Sequence, residues 1–259
     1  MEIKGAKLGI GYESRIVLKD FDITVKKGEI TTFIGPNGSG KSTVLKTLTR
    51  LLACRKGTVF CNDVPLNRIP SKQFAKQVGV LPQQHLAPPD FRVHDLVSFG
   101  RVPYQSWHQG NSREDEAVVD WAMKATGVWP LRDKTLIACS GGEAQRVWIA
   151  AVLAQQPDIL FLDEPTTFLD IAYQYEIMNL VKKLNRENGM GIVMVLHDLE
   201  QAMEVSDRVV VICQGKKYTE GPPEKVITPV MMKEVYHVNC QVVPLPGRRR
   251  PILAYEEIL

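Results

Sequence analysis

Gly35-Pro36-Asn37-Gly38-Ser39-Gly40-Lys41-Ser42-Thr43 matches the pattern of a phosphate-binding loop. The glycines let the backbone curl until several N–H groups face one anion. The helix that follows adds its positive end. Lys41 is placed to reach β- and γ-phosphates, and the Ser42 hydroxyl to ligate Mg²⁺. A second group lies downstream, where Ile159-Leu160-Phe161-Leu162 runs into Asp163-Glu164. Carboxylates at the C-terminal end of a strand sit where open α/β sheets bind ligands. Asp163 suits Mg²⁺ held through water, and Glu164 suits the polarisation of an attacking water. A third group, Ser140-Gly141-Gly142-Glu143, has the spacing of a helix capping box. Two glycines in a first helical turn cost about 1 kcal/mol each relative to alanine. Close approach of a phosphate would explain them.

These groups need elements to hold them. Ile30–Ile34 reads as a buried strand before the loop, and Val44, Leu45, Leu48, Leu51 and Leu52 recur after it at helical spacing. Ile23 and Val25 alternate with polar residues, and residues 58–62 and 77–81 read as further strands. From Pro88 the composition shifts to helical patterns, notably 114–126 and about 142–155. A strand over 159–162, a helix over about 171–188 and strands over 192–196 and 208–213 follow. Strands separated by helices predict a largely parallel sheet. The reading is an α/β core (1–84 and 156–235), an inserted helical subdomain (85–155) and a C-terminal extension (236–259). Apolar Val238, Val242, Val243 and Leu245 predict that the extension packs. Arg248-Arg249-Arg250 reads as a solvated loop.

The 259 residues are 44% hydrophobic and 24% charged, with a net charge of +3. That excludes a disordered chain or a collagen, and it gives no pointer to nucleic acid. Five widely spaced cysteines without a CxxC pair argue against a disulfide framework or zinc site and for a reducing compartment. No signal peptide or membrane-length apolar run is evident, so a membrane role would come through a partner.

Together the motifs resemble the nucleotide-binding subunit of an ATP-binding cassette (ABC) transporter. They do so in the family's order and over nearly the whole chain. Leu81-Pro82-Gln83 matches the family's glutamine loop, Ser140-Gly141-Gly142-Glu143 its signature and Ile159–Glu164 its Walker B strand. Leu169-Asp170 matches the D-loop, and Val195-Leu196-His197-Asp198 the switch histidine. Tyr12 stands where the family stacks an aromatic residue on adenine. The resemblance implies a P-loop NTPase (RecA-like) α/β core, an N-terminal antiparallel β subdomain and an inserted α-helical subdomain. It implies two copies binding two ATP molecules head to tail, the loop of one facing Ser140 and Gly142 of the other. Glu164, His197 and Gln83 would be catalytic, Gln83 would also complete the Mg²⁺ shell with Ser42 and Asp163, and Asp170 would lie near nucleotide.

A narrower resemblance points to importers of iron–siderophore chelates, haem and vitamin B12. It rests on residues 81–83, 145–150 and 164–172 and on Val93-His94-Asp95-Leu96-Val97-Ser98-Phe99-Gly100-Arg101. It implies permease subunits, a substrate-binding protein acting indirectly, and a place on the cytoplasmic face of the membrane. Siderophore is favoured over haem and B12, and a soluble cofactor-assembly ATPase is the alternative of another class. Two positions depart from the family: Cys139 replaces a usual leucine and Ala144 a usually charged residue. Lower activity or redox sensitivity at Cys139 is the corresponding expectation.

Overall fold

A computed structural model describes residues 1–12, 15–84, 86–88, 90–105, 112–244, 246–247 and 250–258, with Arg15 and Ile258 described by backbone alone. Leu245, Arg248, Arg249 and most of the polar stretch after Gln105 lie outside the described residues. In chain order the strands and longer helices are β1 (Glu2–Tyr12), β2 (Arg15–Lys26), β3 (Ile30–Ile34), α1 (Lys41–Leu48), β4 (Lys56–Cys61), β5 (Val64–Pro65), α2 (Ser71–Gln77), β6 (Val78–Leu81), α3 (Val93–Ser98), α4 (Arg113–Ala125), α5 (Gly141–Leu153), β7 (Ile159–Asp163), α6 (Ile171–Asn188), β8 (Gly191–Val195), α7 (Leu199–Val205), β9 (Arg208–Cys213), β10 (Lys216–Gly221), β11 (Val238–Val243) and β12 (Ile252–Ile258). Two compact units result, Met1–Leu66 with Gly191–Leu259, and Asn67–Met190. β6, β7 and α6, grouped with the core in the sequence reading, fall in the second unit.

The first unit contains the antiparallel sheet β2-β1-β4-β5. Its long strands bury one face through Ile3, Leu8, Ile10, Leu18, Phe21, Ile23 and Val25. β3 is buried at all five residues and pairs in parallel with both β8 and β9. Burial of every residue, the hydroxyl-bearing Thr31 and Thr32 included, belongs to a strand covered on both faces. β10 closes the edge antiparallel to β9. β11 and β12 form a C-terminal antiparallel hairpin, with Cys240 opposite Tyr255. The extension therefore has structure of its own, and Arg250 ties it to the Met203 carbonyl of α7 through a side-chain hydrogen bond.

In the second unit β6 runs parallel to β7. Helices α3, α4 and α5 pack around a core of Val93, Leu96, Val97, Val119, Ala122, Met123, Val147 and Leu153. Both α4 and α5 begin with a complete capping box, Ser112 with Asp115 and Ser140 with Glu143. A buried ion pair pins the turn after α3. Arg101 Nε donates to Asp115 Oδ1 at 2.8 Å and Arg101 Nη1 to the Ala154 carbonyl at 2.7 Å. α6 ends at Gly189, whose left-handed φ of 61° stops the helix. Among the described residues, no helix is long and apolar enough to cross a membrane.

Candidate functional site

The phosphate loop lies in the first unit, between β3 and α1. Gly35, Gly38 and Gly40 have φ of 144°, 75° and 108°, which L-residues rarely adopt. At Gly35 space forbids a side chain as well, because a Cβ would overlap the Ile212 carbonyl of the neighbouring strand. Lys41 is 5% exposed, and its ammonium donates to the carbonyls of Gly35 at 2.8 Å and Pro36 at 3.0 Å. The cation is thus stored inside the curl of the loop. Ser39 Oγ is buried without a hydrogen-bond partner, one of two such side-chain atoms among the described residues. Burying a hydroxyl unpaired costs on the order of 1–3 kcal/mol, so this loop fits a ligand rich in acceptors. Pro36, Asn37, Ser42 and Thr43 complete it, with Asn37 exposed and Thr43 buried.

Two further candidates stand in the same unit. Tyr12 closes β1 and is 46% exposed, as an aromatic that receives a ligand must be. His197 follows β8 and is exposed. The next residue, Asp198, caps α7 by accepting the Gln201 N–H at 2.9 Å.

Sequence reasoning gave no account of the extension, and here it meets the loop. The Tyr236 hydroxyl accepts a hydrogen bond from the Gly35 N–H. Burial pushes the Tyr236 phenol far above its ordinary range, and the Gly35 bond opposes this only in part. Tyr255 lies near Asp198 and Glu200; burial first, then those carboxylates, raises its phenol too.

In the second unit, Asp163 ends β7 at 3% exposure. Glu164 follows in a left-handed conformation, φ 54°, which costs a non-glycine residue on the order of 1–3 kcal/mol. Its carboxylate is held from two sides. The Gln83 side-chain amide donates to Glu164 Oε2 at 2.7 Å, and the Thr167 hydroxyl donates to the same oxygen at 3.1 Å. Residues 83 and 164 were both singled out in the sequence, but their direct bond was not expected. Thr167 figured only within the 164–172 stretch of the narrower resemblance, with no role of its own.

The Ser140 group also resolves into parts. The Ser140 N–H donates to Glu143 Oε2 at 2.8 Å, and the Glu143 N–H to Ser140 Oγ at 3.3 Å. The backbone bond from Ser140 is the main reason that the Glu143 carboxyl lies below its usual range. The two glycines differ. Gly142 is buried, and a Cβ there would stand 2.5 Å from Cγ of Tyr173, so its own chain requires it to be bare. At Gly141 the nearest atom to such a Cβ is Leu169 Cδ2 at 4.0 Å, which leaves room. Only Gly141 is left to the explanation that a phosphate approaches. Asp170 caps α6 by position, without a side-chain cap bond. Cys139 is half-buried, with its thiol 3.7 Å from the Thr135 carbonyl. Burial and then the Glu143 carboxylate push that thiol up, which works against redox sensitivity.

Among the described residues no three His, Cys, Asp or Glu side chains gather as a metal site. The candidate donors Ser42, Gln83 and Asp163 are all oxygen ligands, which suit a hard cation such as Mg²⁺ completed by water and phosphate.

Known proteins resemble this chain over most of its length. The family pattern described as ABC transporter matches residues 18–167. The chain is 42% identical over 253 residues to the iron(3+)-hydroxamate import ATP-binding protein FhuC of Bacillus subtilis, covering 97% of this chain and 94% of that one. It is 38% identical over 251 residues to the ferric enterobactin transport ATP-binding protein FepC of Escherichia coli, covering 97% and 93%. Among solved structures it superposes with a TM-score of 0.74 and 27% identity on the ATP-binding cassette MJ0796, solved as a dimer in a post-hydrolysis state bound to ADP and Pi. That match covers 85% of this chain and 98% of the other. The α/β fold, the loop between β3 and α1, the acidic end of β7 and these matches together mean that the chain belongs to the ABC transporter family.

Proposed function

We propose that the chain is the ATP-hydrolysing subunit of an importer, driving uptake of an iron–siderophore-type chelate through a membrane permease from the cytoplasmic face. The observation that carries the reading is the pairing of Gln83 with Glu164 at 2.7 Å beside a strained backbone. It aims one carboxylate, and that carboxylate follows the acidic strand end directly. The cargo class rests on the names of the relatives, which specify iron(3+)-hydroxamate and ferric enterobactin.

In this reading the loop N–H groups and Lys41 bind the phosphates of ATP, and Tyr12 stacks on the base. Glu164 orients and deprotonates the attacking water, and His197 holds the transferred phosphoryl group. Catalysis is then positioning and charge neutralisation rather than covalent chemistry. Mg²⁺, held by Ser42 and by Gln83 and Asp163, would neutralise phosphate charge. Ser140, Gly141, Gly142 and Glu143 of one copy face the nucleotide of a second copy head to tail, with Asp170 near it. Binding closes the dimer, and hydrolysis releases it.

The test is the solution mass of Glu164→Gln with and without ATP and Mg²⁺. An ATP-dependent rise from one copy to two supports the sandwich. One copy under both conditions, in the presence of the permease as well, overturns it. Growth of a deletion strain on ferric hydroxamate, haem or vitamin B12 then assigns the cargo. Loss confined to haem or B12 would replace the siderophore reading, and no transport defect at all would favour a soluble ATPase.

A further inference from the structure

The first turn of α5 and the segment just after Glu164 are fastened together by side chains. Gln145 Nε2 donates to the Pro165 carbonyl at 3.0 Å, one residue beyond Glu164. The Tyr173 ring lies against Gly142, with Cγ only 2.5 Å from where a Cβ would stand. Arg146 forms an ion pair with Glu176, and its guanidinium carbon is 5.9 Å from the centre of the Tyr173 ring. Gly142, Gln145 and Arg146 share one helical face by their spacing of three and four, and Tyr173 and Glu176 share another. The result is a short seam between two helix starts. α6 is itself tied back to the turn before it, since Gln174 donates to the Leu169 carbonyl at 2.9 Å.

Each part of this seam is specific. A glycine inside a helix is unfavourable by about 1 kcal/mol against alanine, yet an alanine at 142 would strike the Tyr173 ring. Loss of the ring would leave the Gly142 backbone unsupported while the rest of α5 stays anchored. That anchorage is the buried run Val147 and Ile149–Leu153. Such a change would loosen the N-terminal turn without unfolding the helix.

We infer that Tyr173 is a positioning residue for the Ser140–Glu143 turn, holding it in fixed register to the segment that begins at Pro165, so that the turn meets a second copy's nucleotide in one orientation. This rests on the head-to-tail reading proposed above. The contacts of Tyr173 are to Gly142 and Arg146, so its effect is on assembly rather than on binding.

The test uses the full chain carrying Glu164→Gln, which retains ATP. Tyr173→Phe, Tyr173→Ala, Gly142→Ala and the double variant Tyr173→Ala/Gly142→Ala are added to it. Two quantities are measured: ATP affinity of the dilute single copy, with a fluorescent ATP analogue, and the monomer–dimer constant in saturating ATP and Mg²⁺, by sedimentation. Tyr173→Ala should weaken dimerisation roughly tenfold or more, as a misplaced contact does, while single-copy affinity stays within about twofold. Tyr173→Phe should behave as the parent, because the ring and not the hydroxyl makes the contact. Gly142→Ala should weaken dimerisation, and Tyr173→Ala should add little to that loss, since both act on one contact. If Tyr173→Ala dimerises like the parent, the inference is wrong and the head-to-tail reading survives. Equal loss of affinity and dimerisation would mean general damage to the fold and would also overturn it. A Phe variant as weak as Ala would do the same. A parent that stays a single copy would remove the head-to-tail reading and this inference with it.

Discussion

Gln83 donates its side-chain amide to Glu164 Oε2 at 2.7 Å across 81 residues of sequence. The bond fixes the carboxylate against a backbone that is already strained. Glu164→Gln keeps the shape and removes the base, so phosphate release should fall by about 10²–10⁴-fold. Gln83→Ala should cost less, about 10-fold to 100-fold, the range of one hydrogen bond to a charged group. Steady-state phosphate release on both variants checks this; equal losses would mean that the Mg²⁺ role of Gln83 outweighs its aiming of Glu164.

Asp115 and Arg101 form a pair whose side chains are 11% and 6% exposed. Removing one partner of such a pair costs about 3–5 kcal/mol, and Asp115→Asn should show that loss in urea unfolding. Burial alone would raise the Asp115 carboxyl. The Ser112 N–H, then Arg101 and the Ser112 hydroxyl, outweigh it and hold the carboxyl below its usual range. The folded chain therefore binds fewer protons there than the unfolded chain. The stabilisation is present above the unfolded carboxyl's pKa and is lost as pH falls through the lower folded value. Asp115→Asn should flatten this part of the acid side of the stability profile.

Tyr236→Phe removes the acceptor for the Gly35 N–H and little else. An unpaired amide at that depth should lower stability by about 1–3 kcal/mol. The urea midpoint should drop with no change in slope. An unchanged midpoint would show that the hydroxyl carries no part of the loop's support.

The Cys139 thiol is raised by burial and by Glu143, and the thiolate is the reactive form. Alkylation by iodoacetamide at neutral pH should be slower at Cys139 than at free cysteine. Faster reaction, read by peptide mass, would restore redox sensitivity as an idea.

What could be read in advance followed from how each element is stabilised. β3 is a β-branched and aromatic run, β7 and β9 are mostly apolar, and α6 ends where a glycine stops it, so their extents were readable within a residue or two. β10 is Lys-Lys-Tyr-Thr-Glu-Gly, an edge strand without apolar alternation, and it owes its form to pairing with β9. α3 and α7 are too short for periodicity to declare them. The site residues were named by motif, but their partners were not. Thr167, Gln145, Tyr173 and Tyr236 act through contacts that only folding creates, and a tyrosine two residues into a helix looks like any surface aromatic.

Phe168 has a left-handed backbone, φ 64°, and a side chain 98% exposed. For an isolated copy it is a double liability: a strained peptide with a wet benzyl group. Phe168→Gly should raise the melting temperature of that isolated copy, since it relieves the backbone and surrenders no packing. Ranking variants by the thermal resistance of the lone chain would therefore discard this phenylalanine first.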